Sequence, residues 1–486
     1  RYRVMSSSPP PFLPDDLITE VLSSVDVKSI MRFRCVCKFW NTLILDPTFV
    51  NLHLKKSAKQ NPHLLLITDR STTITRESLH GSYYENEVEH GVIPYSVSSL
   101  LENPSFTLSV DSYYLLRDKE CSHIVGSCNG LICLRGQSNS LEHYDYWFQL
   151  WNPATRTKSP NFGFLRLFRN RPDCPSSVEN GYYKFVFGCD NSTGTYKIMA
   201  SRYNRREMRS HARILNLGDD VWRDIESFPV YPMYLDSAYK TYGDFGIYFK
   251  NTVNWLAVQN HFLYAFDETK DISVEHLVIV SLDLRSETYD QYLLPREFDV
   301  FPHAAPIIGV LGDCLCFSYC HKEIHFIIWK MEKFGVQDSW TQFLKIGYHN
   351  LQIDYDYSDE DIKYYFQLMP MFISKDGDTL VIKSSHEHQE IIYNWSNDRV
   401  ERTKMTRRKA VTDDQTVEIV DSVSCSPRGY FESLVSVFWN NKTDRQDLIQ
   451  CGNQELEEEQ LRQSREDEFR GTSFVFRDMI FSCTVL

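Results

Sequence analysis

The sequence predicts an α+β multidomain chain, with a short three-helix module at the N-terminus and a long, mainly-β region after it. Three observations carry this. Apolar residues recur at helical spacing between Leu17 and Ile44. From His63 onward, short runs rich in Val, Ile, Tyr, Phe and Trp alternate with polar loops, and no long amphipathic helix interrupts them. A degenerate unit also recurs through the β region at roughly 45- to 65-residue spacing, near that of propeller blades. Aromatic residues make up 14% of the chain, and aromatics favour pleated, half-buried surfaces.

The helices come first. Leu17, Ile18, Val21 and Leu22 fall three and four apart, Pro14 suits a first turn, and Asp15 and Asp16 place negative charge at the positive end of the helix. Asp26 is the expected N-cap of a second helix carrying Val27, Ile30, Met31 and Phe33. A third carries Cys37, Trp40, Leu43 and Ile44 and stops before Pro47. A segment of about 40 residues rarely folds on its own core. Its apolar residues lie on more than one helix face, so the following domain or a separate protein must cover the surplus.

The strands follow, with Leu64–Thr68 as the first. Others are expected at 124–125, 131–134, 183–187, 196–199, 247–249, 278–282 and 324–329. The repeated unit is an apolar strand, a polar turn and a second strand often ended by Pro. It spans Leu150–Pro160, Ile214–Pro229 and Ile279–Pro295, with weaker copies at Phe326–Ile346 and Ile392–Met405. A closed propeller removes free sheet edges, and six to eight blades are expected. Trp151, Trp222 and Trp255 are expected between neighbouring sheets. The boundaries read as 1–11 disordered, 12–52 helical module, 53–62 linker, 63–438 propeller-like domain and 439–486 a charged tail around Glu455–Gln460.

Charge and cysteine usage narrow the function. The net charge of -13 argues against nucleic acid and anionic membrane surfaces as main partners. No apolar run approaches the roughly 18 residues of a membrane span. Arg1 to Pro11 is polar and Pro-rich, so no secretory leader is read there, and Met5 is a candidate start. The 13 scattered cysteines then read as reduced thiols in cytoplasm or nucleus. The sequons at Asn191, Asn394 and Asn441 are irrelevant in that setting.

Two stretches carry a family resemblance. Leu13–Leu22 resembles the first helix of an F-box, and Val27–Trp40 resembles its second and third. The remainder is similar to the F-box-associated domain common in plants. Ile124–Leu134, Trp151–Arg156, Val221–Arg223 and Glu432–Ser436 match its signatures in order, covering residues 12 to about 438 together with the F-box. Asn254 stands where that family often has His. The resemblance implies docking onto a Skp-family adaptor and through it a cullin scaffold. The implied docking set is Leu13, Pro14, Leu17, Ile18, Val21, Leu22, Ile30 and Met31, while Phe33, Val36 and Trp40 hold the module together.

Other motifs read as structural. Gly126–Gly130 could mimic a nucleophile elbow at Cys128, but an elbow opens a helix, and Asn129-Gly130 before an apolar run signals a two-residue hairpin. Cys314, Cys316 and Cys320 share one strand face, and His386 and His388 are a weak second pair for zinc. Arg202–Arg213 and Arg402–Lys409 read as solvated basic faces, and Asp354–Asp361 as an acidic loop. No catalytic, metal or cofactor set is assigned. The expected function is substrate recognition in an SCF-type E3 ubiquitin ligase, with an unknown protein target. The alternatives are a protein-binding module outside a ligase and a propeller enzyme.

Overall fold

The computed structural model describes residues 14–60, 62–78, 81–107, 116–117, 121–168, 182–204, 207, 209–219, 221–233, 246–259, 273–355, 359–387, 389–406 and 417–437. The segments read as a disordered N-terminus (1–11) and a charged tail (439–486) lie outside them.

Four helices open the fold: α1 (Asp15–Leu22), α2 (Val27–Phe33), α3 (Lys38–Ile44) and α4 (Pro47–Gln60). Asp15 and Asp16 occupy the first turn of α1, and the Asp26 carboxylate caps α2 by accepting the Ser29 N–H at 2.9 Å. The expected linker at 53–62 is instead mostly the second half of α4. Pro47 does end α3, because it cannot continue that helix. It also begins α4, where its fixed φ suits the first position and its missing N–H is not needed. Asp46 completes the cap, accepting from the Thr48 N–H at 2.7 Å and the Phe49 N–H at 3.4 Å.

The β region forms six sheets of four or five strands among the described residues, one per propeller blade. Blade 2 runs through Cys121–Cys128, Leu131–Asn139, His143–Asn152 and Thr157–Lys158, with Phe162–Phe168 added against the third strand. Blade 3 is Lys184–Asp190, Thr195–Asn204, Arg209–Asn216 and Trp222–Ile225. In blade 4 the inner strand is split into Tyr231–Pro232 and Ile247–Phe249, both paired to Thr252–Val258, and Leu277–Asp283 and Tyr289–Leu293 follow. Blade 5 is Ile307–Leu311, Cys314–His321, His325–Met331 and Trp340–Gly347. Blade 6 is Leu368–Ile373, Thr379–Ser384, Ile391–Asn394 and Arg399–Arg402. The five repeats seen in the sequence are the third and fourth strands of blades 2 to 6. Blade 1 carries no copy, since among the described residues its fourth strand is only Leu116–Arg117, well beyond its third, Gly81–Ser96. Val417–Phe431 is its inner strand, paired antiparallel to Pro62–Ser78, which leads to Gly81–Ser96 and Leu116–Arg117.

Pairing the last strand of the propeller, Val417–Phe431, to its first, Pro62–Ser78, closes the ring within blade 1. The inner strands of blades 2, 3, 4, 5, 6 and 1 touch in that order, and the last meets the first. Glycine permits the close approach at two equivalent points. A Cβ on Gly126 would lie 3.0 Å from the Phe187 Cβ, and one on Gly188 would lie 2.5 Å from the Tyr248 ring.

The core lies in the seams between blades. Leu65, Val92, Ile132, Leu134 and Trp151 fill the seam of blades 1 and 2, and Met199, Ile214, Trp255 and Val280 that of blades 3 and 4. Trp222 bridges blades 2 and 3, its ring 6.0 Å from that of Phe148 and its Nε1–H donating to the Gly163 carbonyl at 2.9 Å. All three tryptophans lie between neighbouring sheets, as expected. Burying each large side chain contributes roughly 1.5–3 kcal/mol.

Candidate docking site

The helical module is seated on one face of the propeller by residues far apart in the chain. Antiparallel strands send alternate turns to opposite faces of a blade. In blade 2 the turns at Asn129–Gly130 and 153–156 therefore share a face, and the end of Val417–Phe431 lies with them. Asn152 ties these together. Its Nδ2 donates to the Ser433 carbonyl at 3.0 Å and the Val435 carbonyl at 2.8 Å, while its Oδ1 accepts the Ala154 and Thr155 N–H groups at 3.0 and 3.3 Å. The Ser433 hydroxyl donates to the Asn129 carbonyl at 2.8 Å. Asn129 and Gly130 both have positive φ, 53° and 78°, the geometry of a tight hairpin turn. Gly130 is required there twice over, because a Cβ would stand 2.2 Å from the Ser433 Oγ.

On this seat Ala154 and Leu434 join Leu22, Val27, Ile30, Ile44 and Phe49 in one apolar cluster. The Ser57 hydroxyl of α4 donates to the Glu432 carbonyl at 2.7 Å. His53, buried in α4, donates from Nε2 to the Val25 carbonyl at 2.9 Å, and its burial holds the imidazole below its usual pKa. Lys56 Nζ reaches the Glu20 carboxylate at 2.6 Å and the Ser23 hydroxyl at 2.8 Å, tying α4 to α1.

The helices therefore have an inner and an outer face. On α1 the pair Ile18 and Leu22 points to the core, and the pair Leu17 and Val21, one residue back, points out, as a helical period requires. Leu17 is 52% and Val21 61% exposed, while Leu22 is 3% exposed. Pro14 is exposed, Ile18 and Met31 are half-buried against the core, and Leu13 lies outside the described residues. Leu22 and Ile30 of the expected docking set are instead buried, enclosed by their own module and the propeller seat. Val36, expected to hold the module together, is 54% exposed, because the α2–α3 turn carries it outward. Phe33 and Trp40 do hold it, their rings edge to face at 5.4 Å. Phe39 and Leu45 are exposed apolar residues that the motif match did not single out.

The remaining motifs find ordinary places. Cys128 is buried at the end of a strand, and a strand follows the turn. Cys316 is enclosed in the seam of blades 5 and 6, where burial pushes its thiol up to about 12, and that of Cys320, further along the same strand, up to about 11. His386 accepts from or donates to the Ser385 hydroxyl at 2.9 Å, and His388 lies outside the described residues. Among the described residues no group of three or more His, Cys, Asp or Glu could hold a metal. No helix among them is long and apolar enough to cross a membrane. Arg209 pairs with Glu207, Arg213 with Asp224 and Arg402 with Glu387. Residues 205, 206, 356–358 and 407–409 of the charged stretches are outside the described residues.

Comparison with known proteins matches this architecture. The F-box domain model matches residues 11–52, and the F-box associated beta propeller domain model matches residues 88–437. An F-box/kelch-repeat protein of Arabidopsis thaliana is 27% identical over 344 residues, which is 69% of this chain and 79% of that one. The F-box protein CPR1 of the same plant is 21% identical over 390 residues, 76% of this chain and 79% of its own. Among solved structures, a Penicillium chrysogenum alpha-L-arabinanase overlaps at a TM-score of 0.31 and 14% identity, covering 64% of this chain and 88% of that one. An overlap that low carries no functional argument. The family models agree with the propeller and with the helical module, and the chain belongs to the F-box proteins that carry an F-box-associated β-propeller domain.

Proposed function

We propose that this chain is a non-catalytic substrate receptor of an SCF-type E3 ubiquitin ligase, acting in cytoplasm or nucleus. An F-box and a propeller in one chain, with F-box relatives, support a receptor role of that kind in general terms. The observation that carries the finer reading is the two-faced module. Its inner face is consumed by the propeller, and its outer face leaves Leu17, Val21, Val36, Phe39 and Leu45 in water. Exposed apolar residues grouped on one small module mark a protein-interaction site. The outer face then docks a Skp-family adaptor, and a cullin scaffold follows through it.

The propeller is fixed to the back of the module. Turns between second and third strands lie on the face away from the helices, and that face receives the target protein. Catalysis is by proximity, since holding a target lysine near a charged ubiquitin carrier raises its effective concentration. The test is the double variant Leu17→Asp, Val21→Asp in the full chain. It places two charges in an apolar interface at a cost of several kcal/mol. Co-purification with the adaptor should be lost while the melting temperature stays that of the parent. Undiminished adaptor capture would overturn the docking reading.

A further inference from the structure

Among the described residues the Arg135 guanidinium lacks the carboxylate partner that several of its neighbours have. Arg166 pairs with Asp145, Arg213 with Asp224, Arg223 with Glu287 and Arg402 with Glu387. Arg135, half-buried in the second strand of blade 2, meets no carboxylate among the described residues, and its Nε is buried with no hydrogen-bond partner. Its guanidinium carbon sits 5.6 Å from the Tyr146 ring centroid and 5.8 Å from that of Phe185 across the seam in blade 3. Both rings are neutral, so they supply quadrupole attraction and no counter-charge. Burial lowers the Arg135 pKa, as expected of a cation with no anion beside it.

The surroundings extend toward the face away from the helices. The strand Leu131–Asn139 starts at the Asn129–Gly130 turn and runs away from it. Tyr144 and Tyr182 stand toward that far end, their rings 5.1 Å apart and their hydroxyls at 3.3 Å. Tyr183 lies beside them under a second guanidinium, that of Arg202, at 5.6 Å. The seam thus holds two cations set on an aromatic wall. A buried charge without a partner is costly. A fixed guanidinium fork matches the two oxygens of a carboxylate or a phosphate.

We propose that the seam between blades 2 and 3 at Arg135 is an oxyanion site, through which the propeller engages an acidic or phosphorylated side chain of its target. This rests on the reading of the propeller as the target-recruiting part. The probes are sodium acetate and inorganic phosphate, added to the full chain at matched ionic strength against sodium chloride, with thermal stability as readout. The parent should be stabilised by acetate if the target group is a carboxylate, or by phosphate if it is phosphorylated. Arg135→Met keeps the apolar stem and should melt higher than the parent without anion, because the unpaired charge is gone. Its apparent affinity for the effective anion should fall roughly ten- to a hundredfold. Arg135→Lys keeps the charge, loses the fork and should fall between the two; it carries the test alone if Arg135→Met does not fold.

Phosphate stabilises many proteins by exclusion, so the difference between parent and variant is what counts. Equal anion responses in parent and variants, or none in the parent, would overturn the site. Adaptor capture measured on the same samples separates the two readings. A lost anion response with adaptor capture intact leaves docking standing, and a lost capture by the Leu17, Val21 variant with anion response intact leaves the site standing.

Discussion

The helical module and the propeller complete their cores from different places. Each seam of the propeller is filled by two adjacent blades, and the ring is self-sufficient once Val417–Phe431 pairs with Pro62–Ser78. The four helices enclose Leu22, Val27, Ile30, Ile44 and Phe49 only with Ala154 and Leu434 supplied from outside. A module this small cannot bury all its apolar surface alone. It gives one face to the propeller and leaves the other open. The same shortage that makes the module dependent on its seat also leaves apolar residues for a partner.

The hardest test of that contrast is at the closing strand. A chain ending before Val417 loses the inner strand of blade 1 and the seat at Ser433 and Leu434 together. Calorimetry should show the single cooperative melt of residues 14–437 gone, a loss of more than about 5 kcal/mol given the buried Tyr430, Leu434 and Val437. A melt like that of the parent would mean that the ring does not depend on its closure.

Asn152→Ala separates the two parts more gently. It removes two donated hydrogen bonds and leaves the Ser433 and Val435 carbonyls unmet, a cost of about 2–4 kcal/mol. Limited proteolysis should then cut within Pro47–Gln60 before it cuts any blade. Cleavage in the propeller first would show that Asn152 serves the ring and not the seat.

A smaller effect depends on pH. His53 is held neutral by burial, so its folded pKa lies below the unfolded value of about 6.5. Below that value the unfolded chain takes up a proton that the folded chain refuses, and stability falls as pH drops. Urea midpoints for parent and His53→Gln should converge as pH is lowered from neutral toward 5 and separate above it. Parallel curves would show that His53 does not titrate with unfolding.

The smallest effect sharpens the two-face comparison. Leu17→Asp with Val21→Asp should change stability by no more than about 0.5 kcal/mol, as surface changes do. Leu22→Asp, one residue further along the same helix, should unseat the whole module. Circular dichroism melts of the two proteins distinguish them. Similar melts would mean that α1 has no inner face.

The sequence by itself determined much of this protein. Helical spacing from Leu17 to Ile44, the Asp26 cap, the Asn129-Gly130 turn and the Pro-ended repeats were all legible, because each is a local consequence of period, capping or turn chemistry. Five of the six blades left a copy of the repeat in their third and fourth strands, while the blade number itself was read only as six to eight. Blade 1 left none, since its fourth strand is only Leu116–Arg117, and no local period records the pairing of its inner strand, Val417–Phe431, with Pro62–Ser78. The helix at Pro47–Gln60 was missed because one proline serves as both stop and start. The docking set was legible as a list of apolar residues but not as a surface. Leu17 and Leu22 are the same residue type on the same helix, and only the packing of the helices on one another and on Ala154 and Leu434 decides which of them faces water. Arg135 was invisible as a site for the same reason. Its distinction is a counter-charge that the neighbouring blade does not supply, and that is a property of the assembled seam, not of any stretch of chain.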